Sequence, residues 1–135
     1  EWKVYNTGKA SGKLYGGNLC TLNLLQGTEF MPNMQESIVF VEDDELVFPE
    51  MFARDLTSLL QAVGSISGLV IGRFQKASNM TEDQLIFILE KHPQLKEIPV
   101  LYNVDFGHTQ PILTFPIGGE VEIESEKKII KLMKF

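Results

Sequence analysis

Two rhythms of apolar and polar residues alternate along this chain. Ile38-Val39-Phe40-Val41 is an unbroken run of β-branched and aromatic residues, the pattern of a strand covered on both faces. Leu69-Val70-Ile71 repeats it, and residues 99–103 repeat it again. Between these runs the period lengthens to that of a helix. Over residues 50–63, Phe52, Leu56, Leu59, Leu60 and Val63 share one face, Pro49 suits the first turn, and Arg54 and Asp55 lie off the stripe. Thr81-Glu82-Asp83-Gln84 has capping-box form and predicts a helix to about residue 91, with Leu85, Ile88 and Leu89 inward. His92-Pro93 ends it, which puts His92 on the surface at a helix C-terminus, where the cationic form is favoured.

The flanks are less periodic. Residues 2–5 fit a short strand, and Thr7-Gly8-Lys9-Ala10-Ser11-Gly12 reads as a turn-rich loop. Gly16-Gly17-Asn18 reads as a tight turn before a short helix over residues 20–25, with Asn18 as N-cap and Gly27 as terminator. A glycine pair before a helix can also bind an anion, but the dinucleotide and P-loop fingerprints are missing, so packing is the better account. Residues 120–124 and 128–135 predict a closing hairpin around Ser125-Glu126-Lys127. The order is mixed α/β with strands outnumbering helices, and no repeat or internal linker interrupts it.

Composition narrows the class. The 135 residues suit one domain, and 44% hydrophobic with 22% charged residues is the balance of a globular protein. A net charge of −6 argues against a broad nucleic-acid surface, and only residues 127–134 are locally basic. The single cysteine, Cys20, excludes an internal disulfide, offers no metal-site spacing, and is expected to be a small buried hydrophobe. No apolar run approaches membrane-spanning length. The chain opens on Glu1-Trp2, which suggests a piece of a longer or processed protein.

The candidate chemistry lies at strand ends. The first apolar strand breaks into Glu42-Asp43-Asp44-Glu45, and residues 99–103 lead into a loop carrying His108. Sheet ends are where α/β proteins place reactive groups. If the two strands are parallel neighbours, Glu42 and His108 meet at one edge, and a carboxylate accepting from Nδ1–H makes histidine a better base. A solvated acidic loop and an ordinary surface histidine fit the same residues. Four adjacent carboxylates also suggest a cation site, although the ligand spacing and glycine of a calcium loop are missing.

Several stretches, taken in order, resemble the C-terminal domain of the LD-carboxypeptidase family of serine peptidases: Gly16-Gly17-Asn18-Leu19, Ile38-Val39-Phe40-Val41-Glu42-Asp43, Phe52-Ala53-Arg54-Asp55-Leu56, Gly68-Leu69-Val70-Ile71-Gly72, and Gly107-His108-Thr109 with Pro116-Ile117-Gly118. The resemblance covers nearly the whole chain. Asp105-x-x-His108-Thr109-x-Pro111 is nearer to the microcin C self-immunity branch than to the murein-recycling branch. It implies a swivelling β/β/α three-layer α/β domain over residues 1–135. In such an enzyme a separate N-terminal domain carries the nucleophile of a Ser-Glu-His triad.

On matching positions Glu42 is the triad acid and His108 the general base. Gly16, Gly17, Asn18, Asp43 and Thr109 become candidates for substrate contact or the domain interface. The resemblance implies no metal and no cofactor. None of Ser11, Ser37, Ser58, Ser65, Ser67, Ser78 and Ser125 lies in a nucleophile-elbow context, so this chain alone is expected to be inactive. The implied substrate is a peptidyl or aminoacyl nucleotide of microcin C type, with a murein tetrapeptide as the alternative. Implied partners are the N-terminal domain of the same polypeptide and the small substrate, with no nucleic acid and no membrane. A homodimer is allowed, and the compartment is a bacterial cytoplasm. A binding module without catalysis and a metal-binding acidic loop are the rivals. The acid and base are expected side by side, bordered by an apolar surface where Tyr15 and Phe106 are exposed.

Overall fold

The computed structural model describes residues 1–135. Seven strands form one curled sheet: β1 (Lys3–Asn6), β2 (Lys9–Asn18), β3 (Ile38–Glu42), β4 (Gly68–Gly72), β5 (Val100–Val104), β6 (Glu120–Glu124) and β7 (Ile129–Lys134). Their spatial order is β1-β5-β4-β3-β2-β6-β7. The three apolar runs become the parallel centre, β3, β4 and β5, and every residue of β3 and β4 is buried. Burial on both faces is why these strands carry no polar alternation.

Side chains along the central strands point alternately to two cores. Val39, Val41, Leu69, Ile71 and Val100 face a layer made by α1 (Leu19–Leu22), α2 (Pro49–Val63) and α3 (Glu82–Glu90). There they meet the helical stripe of Phe52, Leu56, Leu59 and Leu60, with Leu85 and Leu89 from α3. Ile38, Phe40, Val70, Leu101 and Val104 face the other way, onto Val121 and Ile123 of β6. Burying each such side chain contributes roughly 1.5–3 kcal/mol. Helix layer, parallel sheet and curled hairpin give the β/β/α arrangement. The capping box at Thr81 is formed in both directions, and Gly64 terminates α2 with φ 76°.

β2 joins the two sheet surfaces and departs from expectation. Of the expected loop only Thr7 and Gly8 remain outside strands, Lys9 to Gly12 being part of β2, and Gly16-Gly17 is not a tight turn. Lys9 to Lys13 pair antiparallel with β6, and Leu14 to Asn18 pair parallel with β3. Backbone pairing to both neighbours holds this polar, glycine-rich segment extended. Gly16 has φ 147°, and a β-carbon there would overlap the Phe40 carbonyl of β3. The glycine serves a close approach between strands.

Three side chains also differ from expectation. Cys20 is exposed, because the short α1 turns Leu19 into the core instead. His92 is buried, with Nε2 3.4 Å from Thr57 Oγ1. Burial, with a smaller contribution from Lys91, lowers its pKa and favours the neutral ring. Asp55 lies off the apolar stripe yet is buried, with Oδ1 accepting from Arg54 Nε at 3.1 Å.

The β2 geometry predicts that Gly16→Ala destabilises the domain by about 3 kcal/mol or more, combining backbone strain with overpacking. Gly17 has open space around its α-carbon, so Gly17→Ala incurs the backbone term only and destabilises less. Chemical denaturation of the two variants checks the order.

Candidate active site

Glu42 is the last residue of β3 and is paired in register with Asn18, the last residue of β2. β4 stands between β3 and β5, so the acid and the histidine loop are not on neighbouring strands. The loop after β5 must cross the end of β4 to reach Glu42. Two glycines leave it room. A β-carbon on Gly72 would stand 2.7 Å from the Phe106 carbonyl oxygen and 3.0 Å from Glu42 Cβ. One on Gly107, which has φ 100°, would stand 2.6 Å from Glu42 Oε2. Phe106 fastens the crossing from below. It is buried, contrary to expectation, with its ring 5.3 Å from Phe40 and 5.7 Å from Phe115.

The crossing delivers His108 Nδ1 to 2.7 Å from Glu42 Oε2. Glu42 is buried, whereas the His108 side chain is 48% exposed, so the imidazole remains accessible to an incoming group. An ionised carboxylate only accepts, so Nδ1 carries the proton and Nε2 is left as the acceptor. The hydrogen bond to Glu42 is the main cause that raises the pKa of His108, and the charges of Glu42, Asp44 and Asp43 act in the same direction against burial. This arrangement can take a proton at Nε2 and stabilise the imidazolium that results.

The neighbouring carboxylates diverge. Asp43 is 1% exposed, and its Oδ1 accepts from the Cys20 amide at 3.1 Å while Oδ2 has no partner. Burial first, then the charges of Asp55, Glu42 and Asp44, push its carboxyl up to about 7. Asp44 Oδ1 accepts from the Leu46 amide at 2.8 Å, and Glu45 is exposed. No three acidic, histidine or cysteine residues stand together as a group able to hold a metal ion.

The remaining candidates separate by position. Gly17 and Asn18 lie beside Val41 and Glu42 in register, on the same sheet edge, with Gly16 one step behind. Asn18 Oδ1 caps α1 by accepting from the Thr21 amide at 3.0 Å. Thr109 Oγ1 accepts from Arg73 Nη1 at 3.3 Å, and Arg73 also forms an ion pair with Asp105. Arg73, Asp105 and the crossing glycines are missed by periodicity. Their signals in the sequence are a glycine closing a buried run, another directly before the histidine, and the aspartate three residues ahead of it.

A profile of the LD-carboxypeptidase C-terminal domain matches residues 11–123. The chain belongs to the LD-carboxypeptidase C-terminal domain family. YocD of Bacillus subtilis (strain 168) is 49% identical over 124 residues, which cover 90% of this chain and 38% of YocD. The microcin C7 self-immunity protein MccF of Escherichia coli is 29% identical over 133 residues, covering 95% of this chain and 38% of MccF. The crystal structure of an MccF-like protein from Bacillus anthracis str. Ames superposes with a TM-score of 0.93 at 40% identity, over 99% of this chain and 43% of that one. MccF in complex with glutamyl sulfamoyl guanosine superposes with a TM-score of 0.75 at 28% identity, again over 99% of this chain and 41% of that one. This LD-carboxypeptidase C-terminal domain therefore spans about 40% of the length of the relatives it matches. No helix in it is long and apolar enough to cross a membrane.

The buried carboxyl of Asp43 predicts a pH signature. Its folded value of about 7 lies above the ordinary 3.8, so the folded state binds this proton more tightly. Stability falls as pH rises from about 4 to about 7 and levels off above, by an amount on the order of a few kcal/mol. Asp43→Asn removes this component. The difference in thermal midpoint between variant and wild type then shifts in favour of the variant as pH rises through that window.

Proposed function

We propose that this domain is the acid–base half of a serine-type amide hydrolase, with Glu42 as triad acid and His108 as general base. The observation that carries it is the 2.7 Å contact from a buried carboxylate to Nδ1 of a half-exposed imidazole at a sheet edge. Serine is a weak nucleophile until a base removes its proton. His108 Nε2 takes that proton as Oγ adds to the substrate carbonyl. The imidazolium, stabilised by Glu42, then returns the proton to the leaving amine as the C–N bond breaks. Water, deprotonated by the same nitrogen, releases the acyl group and restores the serine.

The serine and the oxyanion donors come from a separate domain of the same polypeptide. None of this chain's serines hydrogen-bonds to His108, and the hydroxyls of Ser37, Ser58, Ser78 and Ser125 are engaged elsewhere. The loops after Glu42 and His108 carry exposed apolar side chains, Leu46, Phe48, Ile112 and Leu113, which suit a face covered by that domain. The chain alone, lacking a nucleophile, hydrolyses nothing. The similarity to microcin C7 self-immunity proteins favours a peptidyl or aminoacyl nucleotide as substrate, acted on in the cytoplasm, over a murein tetrapeptide.

In the full-length protein, His108→Ala lowers kcat by about 10⁴-fold or more, because base and nucleophile act as a unit. Glu42→Gln lowers it by about 10²–10⁴-fold, since an amide neither orients the same tautomer nor stabilises the cation. Asp44→Asn changes it by less than about threefold, the size of a screened surface charge. The base must be neutral, and its pKa is raised, so kcat/KM climbs with pH along a limb centred above the ordinary 6.5. Glu42→Gln moves that limb down. Hydrolysis of an aminoacyl sulfamoyl adenosine and of a murein tetrapeptide by these variants is the test. Losses spread over Glu42, Asp43, Asp44 and Glu45 with rescue by added cation mean a metal site. A full-length protein that cleaves neither compound means a binding module.

A further inference from the structure

Half of the His108 side chain is exposed, and its one hydrogen bond is to Glu42. Little packing therefore holds the imidazole, and its position depends on the loop that carries it. Phe106 anchors that loop from the core, and one side chain fastens it at the rim. Arg73 follows the last residue of β4, and its amide donates to the Val104 carbonyl at 3.0 Å. Its guanidinium then reaches both sides of His108. Nη2 pairs with Asp105 Oδ1, three residues before the histidine. Nη1 donates to Thr109 Oγ1 at 3.3 Å and to the Gln110 carbonyl at 3.2 Å, one and two residues after it. Asp105 is itself held, with Oδ2 accepting from the Trp2 indole N–H at 2.9 Å and its carbonyl accepting from the Leu113 amide at 2.7 Å.

We propose that Arg73 is a positioning residue for His108, closing the neck of the loop so that Nδ1 stays on Glu42. The proposal rests on the acid–base role of His108 for its catalytic consequence. A planar guanidinium with donors on two separate terminal nitrogens spans acceptors on both sides of the loop, which the single nitrogen of a lysine ammonium cannot reach together. The Trp2 hydrogen bond, then the one from Arg73, hold the Asp105 carboxyl below its usual range, so it stays ionised where His108 acts as a base. Thr109 on this account serves the loop through its hydroxyl, and Asp105 carries the other end of the clamp.

Arg73→Lys in the full-length protein separates geometry from charge, because the positive charge near His108 is kept while the fork is lost. Two readouts apply: kinetics on an aminoacyl sulfamoyl adenosine, and NMR titration of histidine-labelled protein. The clamp predicts a kcat lowered about 10–100-fold, the size expected for a small displacement of a reacting group, with KM within about twofold. It also predicts that the pKa of His108 drops back toward 6.5 as the bond to Glu42 loosens. Thr109→Val deletes a single 3.3 Å contact and gives a smaller change in the same direction, which serves if Arg73→Lys does not fold. An unchanged His108 pKa in the variant that folds overturns the clamp. So does a raised KM at unchanged kcat, which makes Arg73 a substrate contact. Should the wild-type protein cleave no amide, the catalytic reading fails, and the titration still decides whether Arg73 positions the imidazole.

Discussion

One crossing of backbone over backbone makes this site. The acid ends β3, the histidine follows β5, and β4 lies between them. The loop passes over β4 only because Gly72 and Gly107 present no side chain to Phe106 and Glu42. The tilted and edge-to-face rings of Phe40, Phe106 and Phe115 hold the crossing from the inner core, and Arg73 holds it from the rim. The dyad is thus assembled by two buried parallel strands and a neck of glycines.

Adjacent carboxylates at one strand end have different fates because burial and partners differ. Glu42 has a histidine to donate to it. Asp43 has one amide donor and an oxygen without a partner, and burial pushes its carboxyl up to about 7. Asp44 and Glu45 reach solvent or the backbone of their own turn. A run of four acids that suggests one cluster is, in the folded chain, four separate environments.

Periodicity carried much of the fold. The buried runs at 38–41, 69–71 and 99–103 and the stripe over 50–63 became β3, β4, β5 and α2 because each pattern has one economical way to hide its apolar face. β2 was illegible for a physical reason. Its extension is imposed by pairing with β6 in its first half and β3 in its second, while Lys9-Ala10-Ser11-Gly12 and Gly16-Gly17 carry the residues of turns. The burial of Asp55 and His92 and the exposure of Cys20 depend on how helices roll against the sheet, which local pattern does not contain. The pairing of Glu42 with His108 was legible from their strand-end positions and from family resemblance. The intervening strand and the role of Arg73 were not, since they exist only once β4 and the loop are stacked.

The most direct measurement is a crystal structure of the full-length protein with an aminoacyl sulfamoyl adenosine bound. The account predicts a serine Oγ from a second domain within about 2.6–3.2 Å of His108 Nε2, with Nδ1 still on Glu42. A closed complex in which Nε2 meets no serine, or in which His108 has turned away from Glu42, would contradict it.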